Sequence, residues 1–323
     1  MDEKGYIKYL NPYVTYLLEL NSKDLNNKLF EVIPDYEIDM LFKRTVSEKR
    51  NHVISIYFWG KEKRLLEINS FYLPENKEVL FIINDKSIYE KLEENYKDFI
   101  ANASHELRTP LTSMQILLDL FSERKITLEE IYNEFFPYFR KEIERMSKLV
   151  NNLLNLSRLE AGVVELNLQN IFLVDIIEKV LNSLNPLIKK KNLKLNLKIS
   201  SSLMLHADPQ HLETILFNLL ENAVKYTPDK GRIEISASED SEKIILSIKD
   251  TGIGISEKDL PYIFDRFYRA DRARSSEDGF SSGLGLSIVK KLVEKHGWEI
   301  SVESKINQGT DFKIFIPKRK EGE

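Results

Sequence analysis

The sequence predicts a multidomain chain. It comprises an α+β domain, then an antiparallel helical hairpin forming a dimeric four-helix bundle, then an α/β sandwich. Three observations predict this. Residues 1 to about 84 hold short runs of alternating apolar and polar residues, the strand pattern. From Ser87 the apolar period becomes heptad-like, and from Val163 to Pro317 helical and strand patterns intermix. The expected boundaries are 1–85, 86–162 and 163–318, with a charged tail at 319–323.

In the first part, His52–Phe58, Arg64–Leu73 and Glu78–Asp85 read as three consecutive antiparallel strands. The opening DEKGYIKYLNPYVTYLL reads as a turn, a strand and the start of a helix. In the second part, Leu92, Tyr96, Phe99 and Ala103 keep the heptad-like spacing. Ile100, Ala103, Leu107, Leu111, Met114, Leu118 and Phe121 continue it. SERKIT is a short connection. A second helix then runs to Glu160, with Phe139, Ile143, Met146, Val150, Leu153 and Leu154 as its stripe. Pro137 kinks this helix or marks its start, and Ala161-Gly162 stops it. One hairpin offers too little partner surface for such stripes, so two copies pair. In the third part, helices are expected near Leu173–Lys191, Pro209–Tyr226 and Gly283–His296. Strands are expected near Leu193–Ser200, Gly231–Ala237, Lys243–Lys249, Trp298–Ser304 and Thr310–Ile316.

Composition bounds the function. At 323 residues, 42% hydrophobic and 30% charged, the chain is globular, and its net charge of -4 argues against a dedicated nucleic-acid binder. The absence of cysteine excludes disulfides and thiolate metal sites and fits a reducing compartment. No run of about 18 apolar residues occurs and MDEKG does not resemble a signal peptide, so the chain is expected to be cytoplasmic, with membrane anchoring of a longer parent left open.

The stretch FIANASHELRTPLTS, Phe99–Ser113, sets reactive groups on the first hairpin helix. At 100° per residue, His105 and Thr109 point roughly 160° from the apolar stripe, towards solvent. A surface histidine without a role is one reading. A zinc protease needs a second histidine where Thr109 stands, and fails. The third reading is a nucleophilic imidazole with Glu106 as base or orienter. Pro110 deletes the hydrogen bond to the Glu106 carbonyl and permits a bend just below.

Further on, Asn218, Asn222, Lys225 and Tyr226 fall at i, i+4, i+7 and i+8, one helix face, while Leu212, Ile215, Leu216, Leu219 and Ala223 supply another. Two amides, an amine and a phenol form either a solvated face or a site for Mg²⁺, phosphate and a base. In KDTGIGI, Asp250 can accept from an exocyclic amine, and Gly252 and Gly254 permit close backbone approach to a ligand. Alone, that pattern is often only a turn. In SSGLGLSIVKKL, Gly283, Leu284, Gly285 and Leu286 open a helix, where free N–H groups collect an anion.

Together these strings resemble the sensor histidine kinases of two-component systems, over roughly Leu92 to Pro317. FIANASHELRTPLTS resembles their H-box. NLLENAVKYT, KDTGIGI, IFDRFYRAD and SSGLGLSIVKKL resemble the N, G1, F and G2 boxes of an ATP-binding domain shared with gyrase and a heat-shock chaperone. The resemblance implies that His105 is autophosphorylated with help from Glu106. It also implies that Asn218 and Asn222 hold Mg²⁺, Lys225 contacts phosphate, Tyr226 flanks ATP and Asp250 reads the adenine amine. Arg269 would reach phosphate from a lid anchored by Phe264 and Phe267, with Thr310 near Asp250. The implied partner is a response-regulator receiver domain, which takes the phosphoryl group on an aspartate. H-E-x-x-T resembles the family's phosphatase motif, which gives Thr109 a role in dephosphorylating that partner; a tolerated surface threonine is the other reading. Ile116 and Leu120 point near His105's direction and suggest where a partner docks, unless the bundle core reaches them. Ser281 stands where the family's first G2 glycine is expected, with Gly279 two residues earlier. GYIKYLN and the three strands resemble a PAS sensor domain without its first strand. His52 is then a plain strand residue or a haem ligand. The rival functions are a gyrase-type ATPase and a non-catalytic dimerisation module.

Overall fold

The computed structural model describes residues 1–122, 129, 133, 136–270 and 282–318, without the side chains of Ser22, Leu117, Leu120 and Phe121. The expectations for SERKIT beyond Ser122, for Leu120 and Phe121, for Asp271, Gly279 and Ser281, and for the tail from residue 319 fall outside these. The chain forms two units, residues 1–100 and 101–323.

In the first unit, α1 (Pro12–Leu17), α2 (Leu29–Val32) and α3 (Tyr36–Glu48) precede β1 (His52–Trp59), β2 (Lys63–Leu73) and β3 (Glu78–Asp85). The strands form an antiparallel sheet in the order β1-β2-β3. The Asn11-Pro12 and Asp35 caps start α1 and α3: Asn11 accepts from the Val14 N–H, and Asp35 from those of Glu37 and Ile38. Ile7, Leu17, Ile38, Leu41, Leu66 and Ile68 belong to the core between them. The strand expected in the opening segment is absent: only isolated bridges, Asp2 with Glu78 and Tyr6 with Lys28, form there. Gly5, at φ +85°, turns the chain too tightly for a continuous ladder. His52 sets its Nε2 3.3 Å from the Glu48 carboxylate.

The long helix α4 (Ser87–Ser122) begins in this unit. Its start is tied to the sheet because the Ser87 hydroxyl accepts the Leu65 N–H at 2.9 Å and Tyr57 donates to Glu90.

In the second unit, α4 continues and α5 (Phe136–Glu160) follows, with Pro137 in its first turn, where a missing N–H costs nothing. The apolar stripe of the hairpin stays largely open within one chain: Ile100, Leu111, Leu118, Ile143, Val150 and Leu154 are exposed. Met114, Ile143, Met146 and Val150 line a groove of about 480 Å³. The buried apolar residues of α5 are Leu149 and Leu156, one heptad apart and off the expected stripe. This helix packs against the fold that follows: Lys148 pairs with Glu221 at 2.7 Å, and Arg266 pairs with Glu160. The hairpin and that fold therefore cluster as one unit, although the sequence suggested two domains.

That fold contains β4 (Gln169–Phe172), α6 (Leu173–Lys190), β5 (Lys194–Lys198), β6 (Met204–Ala207), α7 (Pro209–Tyr226), β7 (Arg232–Glu239), β8 (Lys243–Asp250), α8 (Gly285–Lys295), β9 (Glu299–Lys305) and β10 (Gly309–Pro317). The main sheet runs β5-β7-β8-β10-β9, with β5 and β7 parallel and the rest antiparallel. α7 packs between α6 and α8, and both α7 and α8 contact the sheet. The small β4–β6 pair was not legible in the sequence; four residues are too few for an alternating pattern to stand out. Among the described residues no helix is long and apolar enough to cross a membrane.

The start of α7 carries a polar cluster. Asp208 caps the Gln210 and His211 N–H groups, and its other oxygen accepts from Asn167 in the linker at 3.0 Å. His296 donates from Nδ1 to the Leu292 carbonyl at 2.7 Å and accepts the Asp208 N–H at Nε2, so its ring is neutral. Burial, with His211 nearby, holds its pKa below the ordinary histidine range. Below about pH 6.5 the unfolded chain takes up a proton that the folded ring refuses, so stability falls with pH through that window. Melting of the protein between pH 7.5 and 5.5 is expected to show this loss, and His296→Gln to reduce it.

Candidate functional site

Two sites stand on the second unit. On α4, His105 is exposed and Glu106 half-buried. The helix is continuous through Pro110, which is buried. Thr109 is exposed, and its hydroxyl donates to the His105 carbonyl at 3.2 Å, leaving its lone pairs to accept from a further donor. The Ser113 hydroxyl does the same to the Thr109 carbonyl at 3.1 Å. Ile116 is 55% exposed and does not line the hairpin groove.

The second site gathers where α7, the β8 end, the start of α8 and the β9–β10 turn meet. The inward alternation of β8 is Ile244, Leu246, Ile248 and then Asp250, so the register itself drives a carboxylate into the core. Asp250 is buried. One of its oxygens accepts the Gly252 N–H at 2.7 Å and the Thr310 N–H at 3.3 Å. Burial pushes its pKa up and Asp311 adds to the rise, while the two N–H donors oppose it. The same alternation in β10 buries Thr310. Its hydroxyl lies 2.9 Å from that of Ser304, which donates to the Gly309 carbonyl and accepts the Ile255 N–H. Ser304 thus braces the loop after Asp250. No sequence signal marks it; only its register opposite Thr310 does.

The close approaches at Gly252 and Gly254, expected to be to a ligand, are here to the chain's own atoms. Gly254, at φ +71°, lies so near the Lys305 carbonyl that a Cβ would sit 2.1 Å from it. The loop is also tied to α7, since the Ile253 N–H donates to the Tyr226 carbonyl at 3.2 Å. On α7, Asn218 donates from Nδ2 to the Thr214 carbonyl at 2.8 Å, which turns its Oδ1 towards the start of α8. That oxygen faces Gly285, where a Cβ would lie only 2.6 Å away. Asn222 and Lys225 are half-buried one and two turns on, and the Lys225 ammonium lies 5.2 Å from the Tyr226 ring centroid. At α8, Leu284 is buried as anchor, and as N-cap it offers no side-chain acceptor to the first-turn N–H groups beside Gly283, Gly285 and Leu286. The helix begins at Gly285, two residues later than expected, because Gly283 adopts φ +69° and its carbonyl accepts the Phe267 N–H at 3.0 Å. Phe267 is buried and Phe264 packs edge-on against Phe312, while Arg269 is half-buried.

A buried carboxylate, two amide side chains, an amine and a glycine-flanked helix start together suit a purine amine at one end and phosphates at the other. Amide oxygens also suit Mg²⁺, which takes one or two protein oxygens and completes its shell from phosphates and water.

Comparison with known proteins finds a separate family match over each of the two sites. Residues 96–162 match the family of His Kinase A (phospho-acceptor) domains, and residues 207–320 match the histidine kinase-, DNA gyrase B- and HSP90-like ATPases. The sensor histidine kinase WalK of Bacillus subtilis is 34% identical over 76% of this chain and 40% of its own length. The sensor protein kinase WalK of Staphylococcus aureus is 30% identical over 98% of this chain and 77% of its own. A crystal structure of full-length ShkA in complex with AMPPNP shares 29% identity, with a TM-score of 0.52 over 68% of this chain and 45% of that one. The chain thus spans less than half of one WalK and about three quarters of the other, and with that second match it belongs to the sensor histidine kinases.

Proposed function

We propose that this protein is an ATP-dependent histidine kinase that phosphorylates itself on His105 and passes the phosphoryl group to an aspartate of a response-regulator receiver domain. The observation that carries this is the pairing, in one chain, of an exposed histidine beside Glu106 with a separate cleft built around buried Asp250. In the first step a nitrogen of His105 attacks the γ-phosphorus. The bond to the bridging oxygen breaks, ADP leaves, and the imidazole proton goes to Glu106. Asp250 accepts the adenine amine, Thr310 and Ser304 hold its loop, and Tyr226 flanks the base. Lys225, Arg269 and the N–H groups around Gly283 to Leu286 bind the phosphates. Asn218 and Asn222 would hold Mg²⁺, whose charge offsets that of the phosphates.

The open stripe on α4 and α5 supports a homodimer through the hairpin. The strand order of residues 1–100 supports a PAS-like sensor domain. Exposed Ile116 supports a docking face for the receiver domain below His105 on α4. Incubation with labelled ATP tests the reading: acid-labile, alkali-stable phosphate on the protein is expected, and ATP hydrolysis without protein label would favour the gyrase-type ATPase.

The same surface supports a phosphatase activity. Thr109 sits one turn beyond His105, and its hydroxyl, held by the His105 carbonyl, can orient a water towards an aspartyl phosphate. Thr109→Ala is expected to autophosphorylate within about twofold of wild type and to slow dephosphorylation of the regulator about tenfold or more. Unchanged dephosphorylation would remove Thr109 from the role.

A further inference from the structure

The last turn of α7 carries Lys225 and Tyr226, and its carbonyls need partners, because no further helical N–H follows. Two of them, with the carbonyl of the Thr227 cap, share one cation. The Lys191 ammonium donates to the carbonyls of Val224 at 3.1 Å, Lys225 at 2.7 Å and Thr227 at 3.0 Å. An ammonium has three N–H donors and no acceptor, so this set uses all of them. The Tyr226 carbonyl is taken by the Ile253 N–H, from the loop that follows Asp250. Every carbonyl from Val224 to Thr227 is therefore held from outside the helix.

Lys191 is fixed for this task. It ends α6, where its N–H donates to the Leu187 carbonyl at 3.0 Å, and its own carbonyl accepts the Lys230 N–H at 2.9 Å. It is half-buried, whereas Lys189 and Lys190 before it are exposed. Its charge also lies at the negative end of the α7 dipole. In the sequence it reads only as the third lysine of a run closing its own helix.

We propose that Lys191 is a positioning residue of the nucleotide site, resting on the nucleotide reading above. By holding the α7 C-terminus it sets where Lys225 and Tyr226 stand. Through the Tyr226 carbonyl it sets the loop whose Gly252 N–H orients Asp250. Without the ammonium, three carbonyls lose their donors and the turn relaxes towards water.

The test measures binding of a non-hydrolysable ATP analogue with Mg²⁺ to the full chain, beside its melting temperature. Lys191→Met, which keeps the stem and removes the donors, is expected to weaken binding about tenfold. Lys190→Met should bind as wild type does. Lys191→Arg, which restores donors and charge, should recover binding to within about threefold. A folded Lys191→Met with wild-type affinity, whatever its melting temperature, overturns the proposal. An arginine variant as weak as the methionine one overturns it too. Should Lys191→Met fail to fold, Lys191→Gln carries the same criterion. A wild-type chain that binds no analogue overturns the nucleotide reading and this inference with it. Wild-type binding matched by Lys191→Met overturns the inference alone.

Discussion

His105→Gln is expected to lose all acid-labile phosphate while binding ATP within about twofold of wild type. Glutamine is a helix former of similar polarity, so α4 keeps its course, but its amide nitrogen has no lone pair to offer phosphorus. His105 is exposed on α4, so its loss leaves no cavity and no orphaned buried group. Among the described residues, the nucleotide cleft takes its groups from α7, the end of β8 and the loop after it, the start of α8, the β9–β10 hairpin and Arg269, not from α4. The measurement is labelling from ATP at neutral pH, followed by acid and alkali treatment, beside a binding titration. Retained acid-labile label would place the phosphoryl group on another residue.

How far the sequence carried this site follows from where its chemistry lies. In the sequence, Asn218 and Asn222 stood out as polar groups at helix-face spacing, His105 as a polar residue opposite the apolar stripe, and Asp250 through the KDTGIGI string. The inward register of β8 that buries Asp250 is seen only in the structure. The helix Pro209–Tyr226 was legible to the residue because Asp-Pro fixes its start and Thr-Pro follows its end. What stayed hidden depends on pairing across the chain. Ser304 acts through its register against Thr310, and Lys191 reaches carbonyls of another helix more than thirty residues on. Leu149 and Leu156 were missed because α5 has two apolar sides, and the single-stripe reading followed the one left open in a single chain. The opening strand failed for a local reason: the turn at Gly5 limits GYIKYLN to isolated bridges.

Asp250→Asn is expected to cut affinity for ATP about a hundredfold without lowering the stability of the free protein. The carboxylate accepts two backbone N–H groups on one oxygen and leaves the other for an exocyclic amine. An amide cannot do both. With its oxygen towards Gly252 and Thr310, its NH₂ meets the adenine amine donor to donor. Turned round, it sets NH₂ against the two N–H groups. Either loss is that of a hydrogen bond to a charged group with a mismatched donor left behind, about 2–3 kcal/mol. Stability runs the other way. The folded-state pKa of Asp250 is raised by burial, so the folded chain holds a proton there at pH values where the unfolded chain has released it. Its contribution therefore turns unfavourable as pH rises from about 4 through the raised value, and stays so at neutral pH. Asparagine has no charge to desolvate, which offsets the poorer hydrogen bonds. At pH 7 the variant should melt within a few degrees of wild type or above it, and lose that advantage near pH 4. Such a trade of stability for binding marks a functional carboxylate rather than a structural one. A variant that kept wild-type affinity for ATP would remove Asp250 from the site, and one that melted far lower would make it a structural acceptor instead.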